Sequence, residues 1–119
     1  MYNVLFYKDN NGKEPVVEYL RLLCSKTDKN SRINANKIND YIEILRQFGT
    51  TAGEPYVKHI DDNLWELRPL RNRIFFVTWI DDSFVLLHHF IKKSQKTPQR
   101  EIDKAKREIS ELIKGENNE

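Results

Sequence analysis

Between Arg68 and Arg100 the chain places seven basic residues, Arg68, Arg71, Arg73, Lys92, Lys93, Lys96 and Arg100, against two acids, Asp81 and Asp82. The whole protein carries a formal charge of only +2, so its positive charge is concentrated in this stretch. Guanidinium groups match phosphate oxygens in bidentate fashion, and lysines add point charges, so a cluster of this kind suits a phosphodiester. Glu66 stands two residues before Arg68. A carboxylate there serves either as counter-charge to the arginines or as a base that takes a proton.

The cations sit at the ends of apolar, β-rich runs, so strand register decides which of them meet. If Pro69-Leu70-Arg71-Asn72 is a four-residue loop, Arg68 and Arg73 close a hairpin opposite one another, and Glu66 lies opposite Phe75 on the same face. The next hairpin is open to two readings, because a one-residue slip moves a strand to its other face. A two-residue turn at Asp81-Asp82 pairs Arg73 with Phe90 and puts Lys92 with the arginines. A three-residue loop over Asp81 to Ser83 pairs Arg73 with Ile91 and puts Lys93 and His89 there. Two-residue hairpins favour residues that tolerate positive φ, chiefly glycine and Asn-Gly, so the longer loop and Lys93 are preferred. Before Leu64 a loop of Asp61 to Asn63 places Lys58 on the same face, and one residue fewer or more places His59 there.

The supporting elements follow from periodicity. Tyr2 to Tyr7 reads as a strand ended by Asp9-Asn10-Asn11-Gly12. Pro15 opens a helix with Val16, Tyr19, Leu20 and Leu23 on one side. After a polar connection from Ser25 to Asn30, a second helix carries Ile38, Tyr41, Ile42 and Leu45, with Gly49 at its C-terminal cap. A loop from Thr50 to Pro55 leads to four strands in a meander: Tyr56 to Ile60, Leu64 to Arg68, and Arg73 to Ile91 divided at Asp81-Asp82. Thr97 as N-cap and Pro98 at the first position start a last helix with Ile102, Ala105, Ile109 and Leu112, ending before Gly115. Residues 116–119 are expected to fray. The order β-α-α-β-β-β-β-α predicts an α+β protein of one domain over residues 1–119, a mainly antiparallel sheet with helices packed on one face.

Composition narrows the class. With 119 residues, 32% charged and 39% hydrophobic, the chain suits one soluble core. No apolar run approaches the roughly 20 residues of a membrane span, and the start MYNVLFYKDN lacks a secretory pattern, which points to the cytoplasm and away from membranes. Cys24 is alone, and beside Leu22 and Leu23 it is expected to be a buried, inert thiol. The absence of CxxC and His-x-x-x-His spacing argues against structural zinc. Of His88 and His89, adjacent in a strand, one is expected to point into the core.

The ordered pattern Glu66-Leu67-Arg68, Arg73-Ile74-Phe75-Phe76, Leu86-Leu87-His88, Lys92-Lys93-Ser94-Gln95-Lys96-Thr97-Pro98 and Glu101-Ile102 resembles the phage-derived Gp49-like, HigB-type toxins of the RelE/ParE superfamily. That resemblance implies a RelE-like fold and the toxin of a type II toxin-antitoxin system. Such toxins are metal-independent mRNA endonucleases, without cofactor, that enter the ribosomal A site and cut the message. A HigA-like helix-turn-helix antitoxin neutralises them, and operator DNA is reached through that complex. The ribose 2′-OH attacks the adjacent phosphate, a base removes its proton, and cations stabilise the phosphorane. Carried over, Arg68 and Arg73 match the phosphate-clamping arginines and Lys93 the lysine closing the last strand. Glu66, His59 and His89 are candidate bases, and Lys58, Arg71, His89, Lys92 and Lys96 candidate RNA contacts. Two rivals stand beside this reading, a ParE-like toxin that inhibits gyrase without cutting RNA and a non-catalytic nucleic-acid-binding domain.

Overall fold

The structure is a computed structural model that describes residues 1–117. Strand β1 (Asn3–Phe6) is followed by helices α1 (Pro15–Ser25) and α2 (Lys29–Phe48) and a 3-10 turn over Gly49–Ala52. Strands β2 (Val57–Asp61), β3 (Leu64–Leu67), β4 (Asn72–Trp79) and β5 (Ser83–Ile91) come next, then helix α3 (Gln99–Asn117). The sheet order is β1-β5-β4-β3-β2. The four later strands form the antiparallel meander, and β1 returns parallel to β5 at one edge. The α+β architecture expected from the pattern is therefore the one found.

The helices do not share one face. Val16, Leu23, Ala35, Ile38, Ile42 and Leu45 of the α1–α2 hairpin pack on Val57, Leu67, Ile74, Phe76, Phe84 and Leu86. Ala105 of α3, with Ile102, Ile109 and Leu112 beside it, covers Tyr7, Leu64, Phe75, Val77, Val85 and Leu87 on the other side. The reason lies in β4, whose residues from Asn72 to Val77 are all buried. A strand apolar on both faces needs a layer on each, and burying Phe75 or Leu87 beneath α3 is worth about 1.5–3 kcal/mol apiece.

Local chemistry sets the ends. Asp28 caps α2 by accepting from the Ser31 amide at 2.9 Å and from its hydroxyl at 2.8 Å, so the helix starts earlier than Asn30. Gly49 closes α2 with φ +61, and a Cβ there would lie 2.8 Å from the Tyr2 ring. Glycine thus lets β1 dock on the end of α2. The third helix runs through Gly115 to Asn117, beyond the expected stop, and residues 118–119 of the expected frayed tail lie outside the described residues. Cys24 is exposed, contrary to expectation, because Leu23 and not its neighbour faces the hairpin core. Among the described residues no helix is long and apolar enough to cross a membrane.

Candidate active site

The β3–β4 pairing ends at Leu67↔Ile74, and Arg68 and Arg73 are the next residues beyond it, with Glu66 opposite Phe75 and Lys58 opposite Glu66 on the other side. All of these face the α3 side of the sheet. Glu66 is buried, and its Oε1 takes both arginines, Arg68 Nε at 3.4 Å and Arg73 Nε at 3.6 Å. The counter-charge expected between two close guanidinium groups is this carboxylate. Its other oxygen, Oε2, accepts from the Thr97 hydroxyl at 3.4 Å. Burial pushes the Glu66 pKa up, while Arg73, Arg68, Thr97 and Lys58 oppose the shift.

The arginines are held differently. Arg73 is buried and donates from Nη1 to the carbonyls of Leu70 and Asn72, both at 2.8 Å, so the loop grips it. Arg68 reaches Glu54 at 3.2 Å through Nη1. Among the described residues its Nε is the one buried side-chain donor without a hydrogen-bond partner. Asn72 fastens the loop to the helices, donating to Pro69 O at 3.1 Å and to Asn34 Oδ1 at 2.8 Å. Leu70 at the loop tip has φ +59, an unusual conformation for a branched aliphatic residue.

The second hairpin differs from expectation. The loop has the preferred three residues but runs over Ile80, Asp81 and Asp82 rather than Asp81 to Ser83, with both aspartates at φ +54. Trp79 pairs with Ser83, but a bulge between Ile74 and Phe76 inserts one extra residue into β5, and Arg73 ends opposite Phe90 rather than Ile91. Alternation beyond Phe90 brings Lys92, not the favoured Lys93, onto the arginine face. Lys93 lies past the strand end and is exposed, yet both lysines line the same cleft, together with Lys58, Glu66, Arg68, Arg73 and Lys96. The cleft is small. Its free volume is about 20 Å³, room for one water, because the segment Ser94–Pro98 closes over it.

The histidines stay outside the cleft. His59 pairs with Trp65 on the hairpin side of β2 and shares a 2.6 Å hydrogen bond with the Asp62 carbonyl. The loop there is two residues, and a bulge between His59 and Asp61 restores the register that puts Lys58, not His59, beside Glu66. His89 also faces the helical hairpin, stacked on Tyr19 at 3.5 Å and bonded to Asn72 Oδ1 at 3.1 Å. Burial, with neighbouring His88, pulls its pKa down to about 4. His88 is the core histidine, with Glu108 Oε1 2.6 Å from Nδ1 and Glu101 Oε1 3.0 Å from Nε2. Arg71 lies in an adjoining groove and not in the cleft. Sequence reasoning missed Thr97 as a site residue, since its hydroxyl was assigned to a helix cap; α3 instead begins at Gln99.

The family model for the phage-derived protein Gp49-like matches residues 25–110, from the end of α1 into α3. The chain belongs to this Gp49-like family. It is a family of RelE/HigB-like toxins, generally paired with an antitoxin. The matched span holds β2 to β5 and all of the Glu66 cleft. Among curated proteins none matches the chain.

Proposed function

We propose that this Gp49-like protein is the toxin of a type II pair and a ribosome-dependent mRNA endoribonuclease. The observation that carries the reading is the convergence of Arg68 and Arg73 on the buried Glu66 carboxylate, in a cleft shared with Lys58, Lys92 and Lys93. In this mechanism Glu66 takes the proton of a ribose 2′-OH, whose oxygen attacks the adjacent phosphorus. Arg68, Arg73 and Lys58 stabilise the charge that develops on the phosphorane. The 5′-oxygen departs with a proton from Lys92 or Lys93, leaving a 2′,3′-cyclic phosphate. A phosphate does not fit a 20 Å³ space, so Ser94–Pro98 moves aside when RNA enters. A helix-turn-helix antitoxin that keeps the site from its message, and reaches operator DNA as a complex with the toxin, completes the reading.

The test is induced expression of wild type and Arg73→Ala in a bacterial host, with primer extension on a reporter message. Wild type is expected to stop growth and to cut within translated codons, and folded Arg73→Ala to do neither. Arrest without cuts would redirect the case to gyrase, and unimpaired growth would leave a phosphate-binding domain.

A further inference from the structure

Two open grooves continue the cleft. The first, about 370 Å³, lies between Arg71, Arg73, Lys92 and Lys93. The second, about 450 Å³, runs to the α1–α2 junction between Leu70, Arg71, Ile91, Tyr19, Lys26 and Asn30. They share Leu70 and Arg71, and the first shares Arg73, Lys92 and Lys93 with the Glu66 cleft, so the three form one channel. Among the described residues no acidic side chain lines either groove. A groove between α3 and the Asp9–Asn11 turn, by contrast, mixes Asp9, Glu108 and Glu111 with Lys104 and Arg107. The channel thus has the charge of a polyanion track, and each groove has the volume of a small-molecule site.

Its floor is apolar. Leu70 is 46% exposed and Ile91 41% exposed, two large aliphatic side chains left at solvent among cations. Leu70 is held there by a positive-φ backbone that folding alone does not favour. Beside them the Tyr19 ring is fixed by its stack on His89 and by its hydroxyl bond to Asn72 Oδ1 at 3.1 Å. Arg71 is fixed as well. Its Nη2 donates to the Lys92 carbonyl at 3.0 Å, and the Lys92 amide donates to the Arg71 carbonyl at 2.8 Å. Cations along a backbone track beside an apolar and aromatic floor are the combination that binds single-stranded nucleic acid, phosphates on the first and base faces on the second.

We propose that this channel seats the single-stranded RNA segment next to the cleaved phosphate, with Arg71 and Lys26 on its phosphates and a base against Leu70 and Ile91. The assignment rests on the nuclease reading for its orientation toward Glu66. It also explains why so small a cleft serves a polymer: the cleft takes a phosphate and the channel takes the strand.

The experiment is fluorescence anisotropy of purified protein with a labelled, uncleavable 2′-O-methyl RNA hexanucleotide over a range of salt. Lys26→Ala with Arg71→Ala is expected to weaken binding about tenfold at low salt and to flatten the salt slope by about 1.4, two single-strand contacts. Leu70→Ser is expected to weaken binding with the slope unchanged. Lys104→Ala with Arg107→Ala, on α3, serves as the control and should leave the slope as it was. Equal slopes for wild type and the Lys26/Arg71 variant overturn the channel, as does an equal loss in the α3 control. Duplex DNA binding as tight as the hexanucleotide, with the same change of slope, also overturns it. Because the RNA is uncleavable, a channel that binds it stands even where primer extension finds no cuts, and cuts without such binding refute the channel alone.

Discussion

A glutamate with both arginines on one oxygen is governed by two opposed effects. Burial favours the neutral acid and the guanidinium groups favour the carboxylate, and burial prevails, so the Glu66 pKa is raised. The native state therefore holds this proton more tightly than the unfolded chain. Stability that the group contributes at low pH is lost as pH rises through its raised native pKa. Replacing it by glutamine removes that slope, whatever constant offset the unpaired arginines add. The expected outcome, from urea unfolding between about pH 4 and pH 7, is that wild type loses stability relative to Glu66→Gln as pH rises. A difference that stays flat or grows the other way refutes the burial argument. A raised pKa also suits proton removal near neutrality, where His89, with a pKa of about 4, is uncharged and turned away.

The third helix is fastened by polar contacts as much as by apolar ones. His88 lies in β5 with a carboxylate of α3 at each ring nitrogen, Glu108 at Nδ1 and Glu101 at Nε2. Tyr7 donates to Glu111, and Lys106 reaches Asp61 at 2.7 Å. Of these His88 matters most, because it and Glu108 are buried whereas the Lys106 pair is exposed to solvent. His88→Ala leaves a buried carboxylate unpaired and should cost about 3–5 kcal/mol by chemical denaturation. A loss under about 1 kcal/mol would show that the apolar contacts alone seat the helix. The elements themselves were legible in the sequence, through the spacing of Ile38, Tyr41, Ile42 and Leu45 and through the Arg68–Arg73 loop. Local signals failed where tertiary packing chose between equals. The bulge in β5 leaves no mark in a run as apolar as Phe84 to Ile91, and it alone moved His89 off the arginine face and Lys92 onto it. Thr97 reads as a cap in any helix-start pattern, and only the proximity of Glu66 gave its hydroxyl another partner. His59 was displaced by a second bulge, equally silent in sequence.

At the scale of the whole molecule, the site lies where the end of the sheet meets the entry to α3. Thr97 joins the two, so filling the cleft disturbs the helix. With the hexanucleotide bound, amides in the first turn of α3, from Glu101 to Ile102, are expected to exchange faster with deuterium, and those of β4 to stay protected. Slower exchange in that turn would mean that RNA enters without moving Ser94–Pro98. The turn at Asp81-Asp82 has a further consequence. It spends the two acids of the Arg68–Arg100 stretch at the tip of a hairpin whose strand β4 runs on from Arg73 to Trp79 and sets them about 20 Å from Arg73. A net charge of +2 conceals this separation. Within that stretch the hairpin is an electric dipole with its positive pole at the cleft, so a polyanion's field turns the protein cleft-first during approach, an orienting torque that salt weakens as the Debye length shrinks.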